Sequence, residues 1–211
     1  MRRHPLAFLT LLLSPACLLA EAVVTLVIGN PRIQSAERLR NAEKGAAVQN
    51  GDVILTGPGE LLILKLADGG DLVVSEKSRV TFKVEEDASA AKAIDLDLPH
   101  GFLWARSPKL KKDASFNVHV PTATAGIRGT SFSASSGEGG AQVCVCEGQV
   151  KVTNKTTGLE TLLKQGELLR RKDQADASPP LKDKKFLKRP TPRTRNCLDC
   201  HQGGHSRDGR Y

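Results

Sequence analysis

The chain has 211 residues, of which 39% are hydrophobic, 26% charged and only 4% aromatic; this is too apolar for wholesale disorder and enough for one modest core. The formal net charge is +8, yet residues 164–211 carry 13 of the 31 lysines and arginines against 6 of the 23 acids, so the body is nearly balanced and the excess sits in the tail. A balanced body argues against nucleic-acid binding, which needs a positive folded face, and no apolar run reaches the roughly 18 residues of a lasting membrane span.

The first element is a targeting segment. Arg2 and Arg3 precede an apolar stretch from Leu6 to Leu13, and Ala20-Glu21-Ala22 forms a small-x-small cleavage site; together these predict a signal peptide over 1–22 and a periplasmic or secreted mature chain beginning near Val23. Ser14 stands three residues before Cys17, where a lipoprotein site usually carries leucine, so an anchor on Cys17 is disfavoured.

From Val23 to Leu169 short apolar alternations are broken by glycine turns, without a sustained helical period. The first expected strand is Val23–Ile28. Only Ala36–Glu43, with Ser35 as a cap, resembles a helix, and a loop reads equally well there. Leu61–Leu66 stops at Asp68-Gly69-Gly70, a hairpin signal before Leu72–Val74. Further strands are expected at Val80–Val84, Ile94–Leu98, Phe102–Arg106, Phe116–Val120, Ser131–Ala134, Gln142–Cys146, Gln149–Thr153 and Glu160–Leu163. About ten short strands at this spacing predict an all-β sandwich, roll or barrel over 23–169.

Within the body, Asp95 and Asp97 alternate with Ile94, Leu96 and Leu98 and read as the solvated side of a strand. Cys144 and Cys146 alternate with Val143 and Val145, which puts their side chains on one face about 6.5–7 Å apart; that separation is awkward for a disulfide, and small buried hydrophobes are the expected role. Trp104 reads as core or rim. No serine–histidine–acid spacing and no phosphate-cradling loop stands out, so an enzyme is not expected.

Val120-Pro121-Thr122-Ala123-Thr124-Ala125-Gly126-Ile127-Arg128-Gly129-Thr130-Ser131-Phe132 resembles the signature of the FecR family of periplasmic domains. Gly51-Asp52-Val53-Ile54-Leu55-Thr56-Gly57, Leu66-Ala67-Asp68-Gly69, Pro99-His100-Gly101, Cys146-Glu147-Gly148-Gln149-Val150 and Lys164-Gln165-Gly166-Glu167 resemble its turns, so the likeness covers about 25–169. It implies a FecR-type β-sandwich or β-roll acting in sensing or protein interaction, with an envelope protein as partner. Arg128 is the one charge in its stretch; its guanidinium either ties strand ends together or takes a carboxylate.

After Leu169 the composition turns basic and proline-rich. Arg170-Arg171-Lys172, Ser178-Pro179-Pro180, Lys182–Lys188 and Pro190-Thr191-Pro192 predict a disordered, flexible linker over 170–195, able to touch an acidic redox partner or an anionic membrane surface.

The tail, 196–211, holds Cys197-Leu198-Asp199-Cys200-His201. This C-x-x-C-H spacing is that of a c-type haem attachment site: two thiols reach the two vinyl groups of a porphyrin edge, and the adjacent imidazole of His201 ligates the iron. Met1 is the only methionine, so the sixth position falls to a histidine such as His100 or His119, a water or a partner's group, or stays open. His205 lies four residues beyond His201, on the same side of any helix, and cannot clamp the opposite ring face. Two other readings fit the same residues: zinc held by Cys197, Cys200 and His201 or His205, with the fourth ligand missing locally, and a disulfide. Haem c would make the chain an electron carrier or redox sensor.

Overall fold

The computed structural model describes residues 20–182, except 37, 87–91, 111–113, 174 and 177. Among them there is no helix; seventeen strands form one continuous hydrogen-bonded sheet folded into two layers. The strands are β1 (Ala22–Ile28), β2 (Arg32–Gln34), β3 (Leu39–Asn41), β4 (Ala47–Val48), β5 (Val53–Thr56), β6 (Leu61–Leu66), β7 (Asp71–Val74), β8 (Ser78–Glu86), β9 (Lys92–Arg106), β10 (Ser115–Val120), β11 (Ala123–Ile127), β12 (Ser131–Gly137), β13 (Gly140–Glu147), β14 (Gln149–Asn154), β15 (Glu160–Lys164), β16 (Glu167–Arg171) and β17 (Leu181–Lys182).

The front layer runs β4-β1-β6-β7-β9-β12-β13-β16-β17 and the back layer β3-β2-β5-β8-β9-β10-β11-β14-β15. Strand β9 belongs to both. Its first part, to His100, pairs with β8 and β10; from Gly101 it pairs with β7 and β12. The β9–β10 pair is parallel and the other pairings are antiparallel. The crossing depends on Gly101, whose φ is +107°, and a β-carbon there would lie 2.4 Å from the Ser78 α-carbon. Only glycine combines that dihedral with so close an approach. Ser78 then bonds the kinked strand through its hydroxyl, which accepts from the Phe102 amide at 2.9 Å.

Alternation explains why the layers close on each other. Along β6, β8, β10 and the first part of β9 every second side chain is apolar and turned inward, so Leu62, Leu64, Phe82, Leu96 and Phe116 are fully buried, in one cluster from both layers that also takes Leu103 of β9 and Phe132 of β12. Each such side chain stabilises the fold by roughly 1.5–3 kcal/mol. On the other face of the front layer Phe102, Cys144 and Leu168 form a smaller cluster with Trp104 packed against it.

The all-β expectation holds, with three corrections. Ile94–Leu98 and Phe102–Arg106 are one strand, because Pro99-His100-Gly101 kinks the chain without ending its pairing. The helical reading of Ala36–Glu43 fails: Leu39–Asn41 is β3, paired with β2, and Ala42 enters the core. There the tie of the Ser35 amide to the Arg38 carbonyl makes a hairpin, and burial of Ile33 outweighs local propensity. The count of about ten strands rises because β2, β3, β4, β5, β11, β16 and β17 are short or lie inside stretches read as turns.

Ordered structure also passes both expected boundaries of the body. At the start, Ala22 is buried and pairs with Val48 and Leu66, while the Glu21 carboxylate meets Lys92 at 3.0 Å; a cut after Ala22 would discard both contacts. At the end, Leu181–Lys182, inside the expected linker, pairs with β16. Between them Asp176 accepts from the backbone amides of Lys172 (2.9 Å) and Ser178 (2.8 Å) and from the Ser178 hydroxyl.

Candidate functional site

Cys197, Cys200, His201 and His205 lie outside the described residues, as does Cys17. The remaining candidates are in the body, and the first question is which motif residues the fold itself uses. Asp52 is buried; its carboxylate accepts the Gln49 amide at 3.0 Å and lies 3.6 Å from the Arg40 guanidinium. The Thr56 hydroxyl donates to the Ser75 carbonyl at 2.5 Å and accepts the Ser78 amide at 2.9 Å. Asp68 caps its turn by accepting the Gly70 amide at 2.7 Å, and Thr130 is buried between its own turn and β14. These polar groups are consumed in holding turns and strand ends.

Arg128 differs. It sits exposed in the turn between β11 and β12, and among the described residues its side chain makes no hydrogen bond or ion pair. The strand-tying role is therefore not seen in the body, and its guanidinium is left presented to solvent.

A polar network occupies the outer face of the back layer. His119 on β10 places Nε2 2.6 Å from Asp95 Oδ1 on β9 and Nδ1 3.0 Å from the Thr124 hydroxyl on β11; Asn117 donates to the same Asp95 oxygen at 3.1 Å. The parallel β9–β10 register, Asn117 beside Asp95 and His119 beside Asp97, puts these groups on one face. Next to them Lys83 meets Asp97 at 2.6 Å, and that hydrogen bond, with the nearby carboxylates, raises the lysine above its ordinary value. Asp95 and Asp97 thus face outward as expected, but they hold a histidine and a lysine. The order hydroxyl–imidazole–carboxylate was not legible because its members come from three strands. Both ring nitrogens of His119 are occupied, whereas His100, exposed at the β9 crossing, has no side-chain bond among the described residues.

A further open feature is a cleft of about 620 Å³ lined by Arg32, Arg38, Leu39, Arg40, Asn41, Glu43 and Ala46. Arg40 spans the open edge of the sandwich, donating to the Ala47 carbonyl of the front layer at 2.5 Å. Arg32 and Arg38 make no side-chain bond among the described residues. Two guanidiniums without a partner among the described residues, beside the Glu43 carboxylate, suit an anionic group. Neither a helix nor a loop over Ala36–Glu43 announces the cleft, since the β2–β3 hairpin is what brings Arg32, Arg38 and Arg40 together.

Cys144 and Cys146 are buried thiols, 3% and 1% exposed, in keeping with the role of small hydrophobes. Among the described residues no group of three or more potential metal ligands converges, and no helix is long and apolar enough to cross a membrane.

Residues 52–151, from the start of β5 into β14, match the FecR protein family. The matched span is shorter than the 25–169 expected from the motifs. Two crystal structures of Parabacteroides distasonis ATCC 8503 proteins that bear the name anti-sigma factor are similar in structure. One is 16% identical with a TM-score of 0.51, over 72% of this chain and 74% of that one. The other is 17% identical with a TM-score of 0.47, over 57% of this chain and 59% of that one, so the present chain spans about three-fifths of its length. At these identities the likeness concerns the fold alone. No curated protein matches the chain.

Proposed function

We propose that the FecR-family domain at 52–151 is the centre of an exported, non-enzymatic sensing module that binds an envelope protein, and that the tail carries one haem c through Cys197, Cys200 and His201. The observation that carries the first half is the family match lying on a two-layer body in which Asp52, Thr56, Asp68 and Thr130 are spent on turns and strand ends, while Arg128, Arg32 and Arg38 stay exposed and available to an acidic partner. The second half rests on the donor set: two thiols separated by two residues, with an imidazole directly after, are what thioether attachment and axial ligation require. Bound haem supplies one-electron chemistry. The chain's own part is to offer two thiols for attachment and the His201 nitrogen for the iron, while the basic segment before them attracts an acidic redox partner or an anionic surface.

Co-expression with a cytochrome c maturation system and a haem-stained denaturing gel test this reading. A covalent band that vanishes in Cys197→Ser/Cys200→Ser supports it; no band, or a band that survives, ends it. Stoichiometric zinc without Soret absorbance would instead support a structural or signalling protein whose tail cysteines and histidines hold zinc.

A further inference from the structure

Strand β15 ends the back layer, and among the described residues no strand pairs with its outer side. The β14–β15 hairpin opens with the Asn154 amide donating to the Leu159 carbonyl at 2.9 Å. Antiparallel pairing alternates, so Thr161 and Leu163 bond inward to β14 while Glu160, Leu162 and Lys164 direct their amides and carbonyls away from it. The Lys164 amide confirms this orientation, being taken up at 2.9 Å by the Glu167 carboxylate rather than by β14.

The side chains on this edge have a two-fold pattern. Leu162, 53% exposed, lies at the centre on the solvent face, with Glu160 two residues before it and Lys164 two residues after it, both exposed. Edge strands are commonly protected from pairing by charge, and like charges do this well. Opposite charges placed symmetrically about a leucine do the reverse when the strand meets its own copy. The geometry points to β15 as the seam of an antiparallel homodimer with its two-fold axis at Leu162. Leu162 faces the partner's Leu162, Glu160 faces the partner's Lys164, and Thr161 faces the partner's Leu163. The two Leu162 amides and carbonyls exchange a pair of hydrogen bonds. Each Glu160 amide donates to the partner's Lys164 carbonyl, and the Lys164 amide keeps its bond to Glu167. Lys151, 2.9 Å from Glu160, continues the alternation of charge on the same face. Five residues per strand bury less than the roughly 1,200 Å² of a stable interface, so the dimer is weak and salt-sensitive.

Sedimentation of the mature chain across a concentration series, with reductant to keep the tail thiols out of disulfides, tests the seam. The wild type should dimerise as concentration rises. Glu160→Lys and Lys164→Glu should each weaken dimerisation by at least about tenfold. An equimolar mixture of these two variants should dimerise again, because each lysine then meets a glutamate, and the double variant Glu160→Lys/Lys164→Glu should recover it alone. Leu162→Lys, which sets two ammonium groups on the axis, should abolish it. Thermal melts check that all variants stay folded, as expected at exposed positions. A wild type that is monomeric throughout, single variants that dimerise like the wild type, or a mixture that stays monomeric would each overturn the proposal.

Discussion

His119 Nε2 lies 2.6 Å from Asp95 Oδ1, and the Thr124 hydroxyl holds the opposite ring nitrogen at 3.0 Å. An imidazole bonded on both sides must give up one contact before it can ligate a metal, whereas the exposed imidazole of His100 has none to give up. If the tail carries haem and a body histidine completes its coordination, His100→Ala is therefore the body variant expected to change the haem spectrum. His119→Ala should leave the spectrum unaltered and cost about 1 kcal/mol of stability. A spectral change confined to His119→Ala would contradict the assignment.

Gly101→Ala should be among the most damaging single changes in the body. It imposes a side chain at φ +107° and drives a β-carbon into the Ser78 backbone, at a cost of about 3–5 kcal/mol. Gly59→Ala is the control: its φ is +72° but its surroundings are open, so about 1 kcal/mol is expected. Urea unfolding of both variants separates steric conflict from dihedral strain, and equal losses would show that the close approach does not matter.

Asp52 and Arg40 should act as a unit. Asp52→Ala strands the Gln49 amide and removes the carboxylate facing Arg40, which predicts a loss of about 2–3 kcal/mol. Arg40 is partly exposed, so Arg40→Ala should cost about 1 kcal/mol. The double variant should lose less than the two together, and strict additivity in a double-mutant cycle would mean that the 3.6 Å contact carries no coupling.

The turn before β17 should loosen in acid. The Ser178 hydroxyl first, then the Lys172 and Ser178 amides, stabilise the Asp176 carboxylate and lower it from 3.8 to about 2. The folded value lies below the unfolded one, so the contribution is complete above about pH 4 and disappears as pH falls through about 2. Amide exchange at Lys172 and Ser178 should speed up over that interval, and Asp176→Asn should show the fast rate at all pH values. Exchange indifferent to both changes would rule out Asp176 as the organiser.

Arg128→Ala should change stability by no more than about 0.5 kcal/mol, since nothing in the described body holds its guanidinium. A measured loss above about 1 kcal/mol in chemical denaturation would return Arg128 to a structural role.

Alternation made the long strands legible. Leu61–Leu66 appears with its bounds unchanged, and Phe116–Val120 and Gln149–Thr153 lie within one residue of theirs, because each buries one face against a core and water takes the other. What stayed hidden depended on partners far along the chain. Arg32–Gln34 is a three-residue strand justified by one buried isoleucine and by β5. Ala123–Ile127 carries too many small residues to announce itself, yet it pairs fully with β10 and β14. The His119 network and the arginine cleft were illegible for the same reason, each being assembled by register between strands. The family motifs marked the hairpin at Asp68-Gly69, but the motif at 51–57 holds β5 and Pro99-His100-Gly101 lies within β9, and the motifs did not distinguish Asp52, which the fold consumes, from Arg128, which it leaves exposed.

Strand β9 serves both layers, which leaves the body without a seam along which it could be divided. Proteolytic nicking near Gly101 would deprive each half of its central neighbour, so neither fragment should persist alone. Heat or denaturant should melt the two layers in one cooperative step. Because β9 must find partners on both sides, in β8 and β10 and then in β7 and β12, acquisition of the native state is expected in milliseconds to seconds, as for other chains dominated by distant pairings.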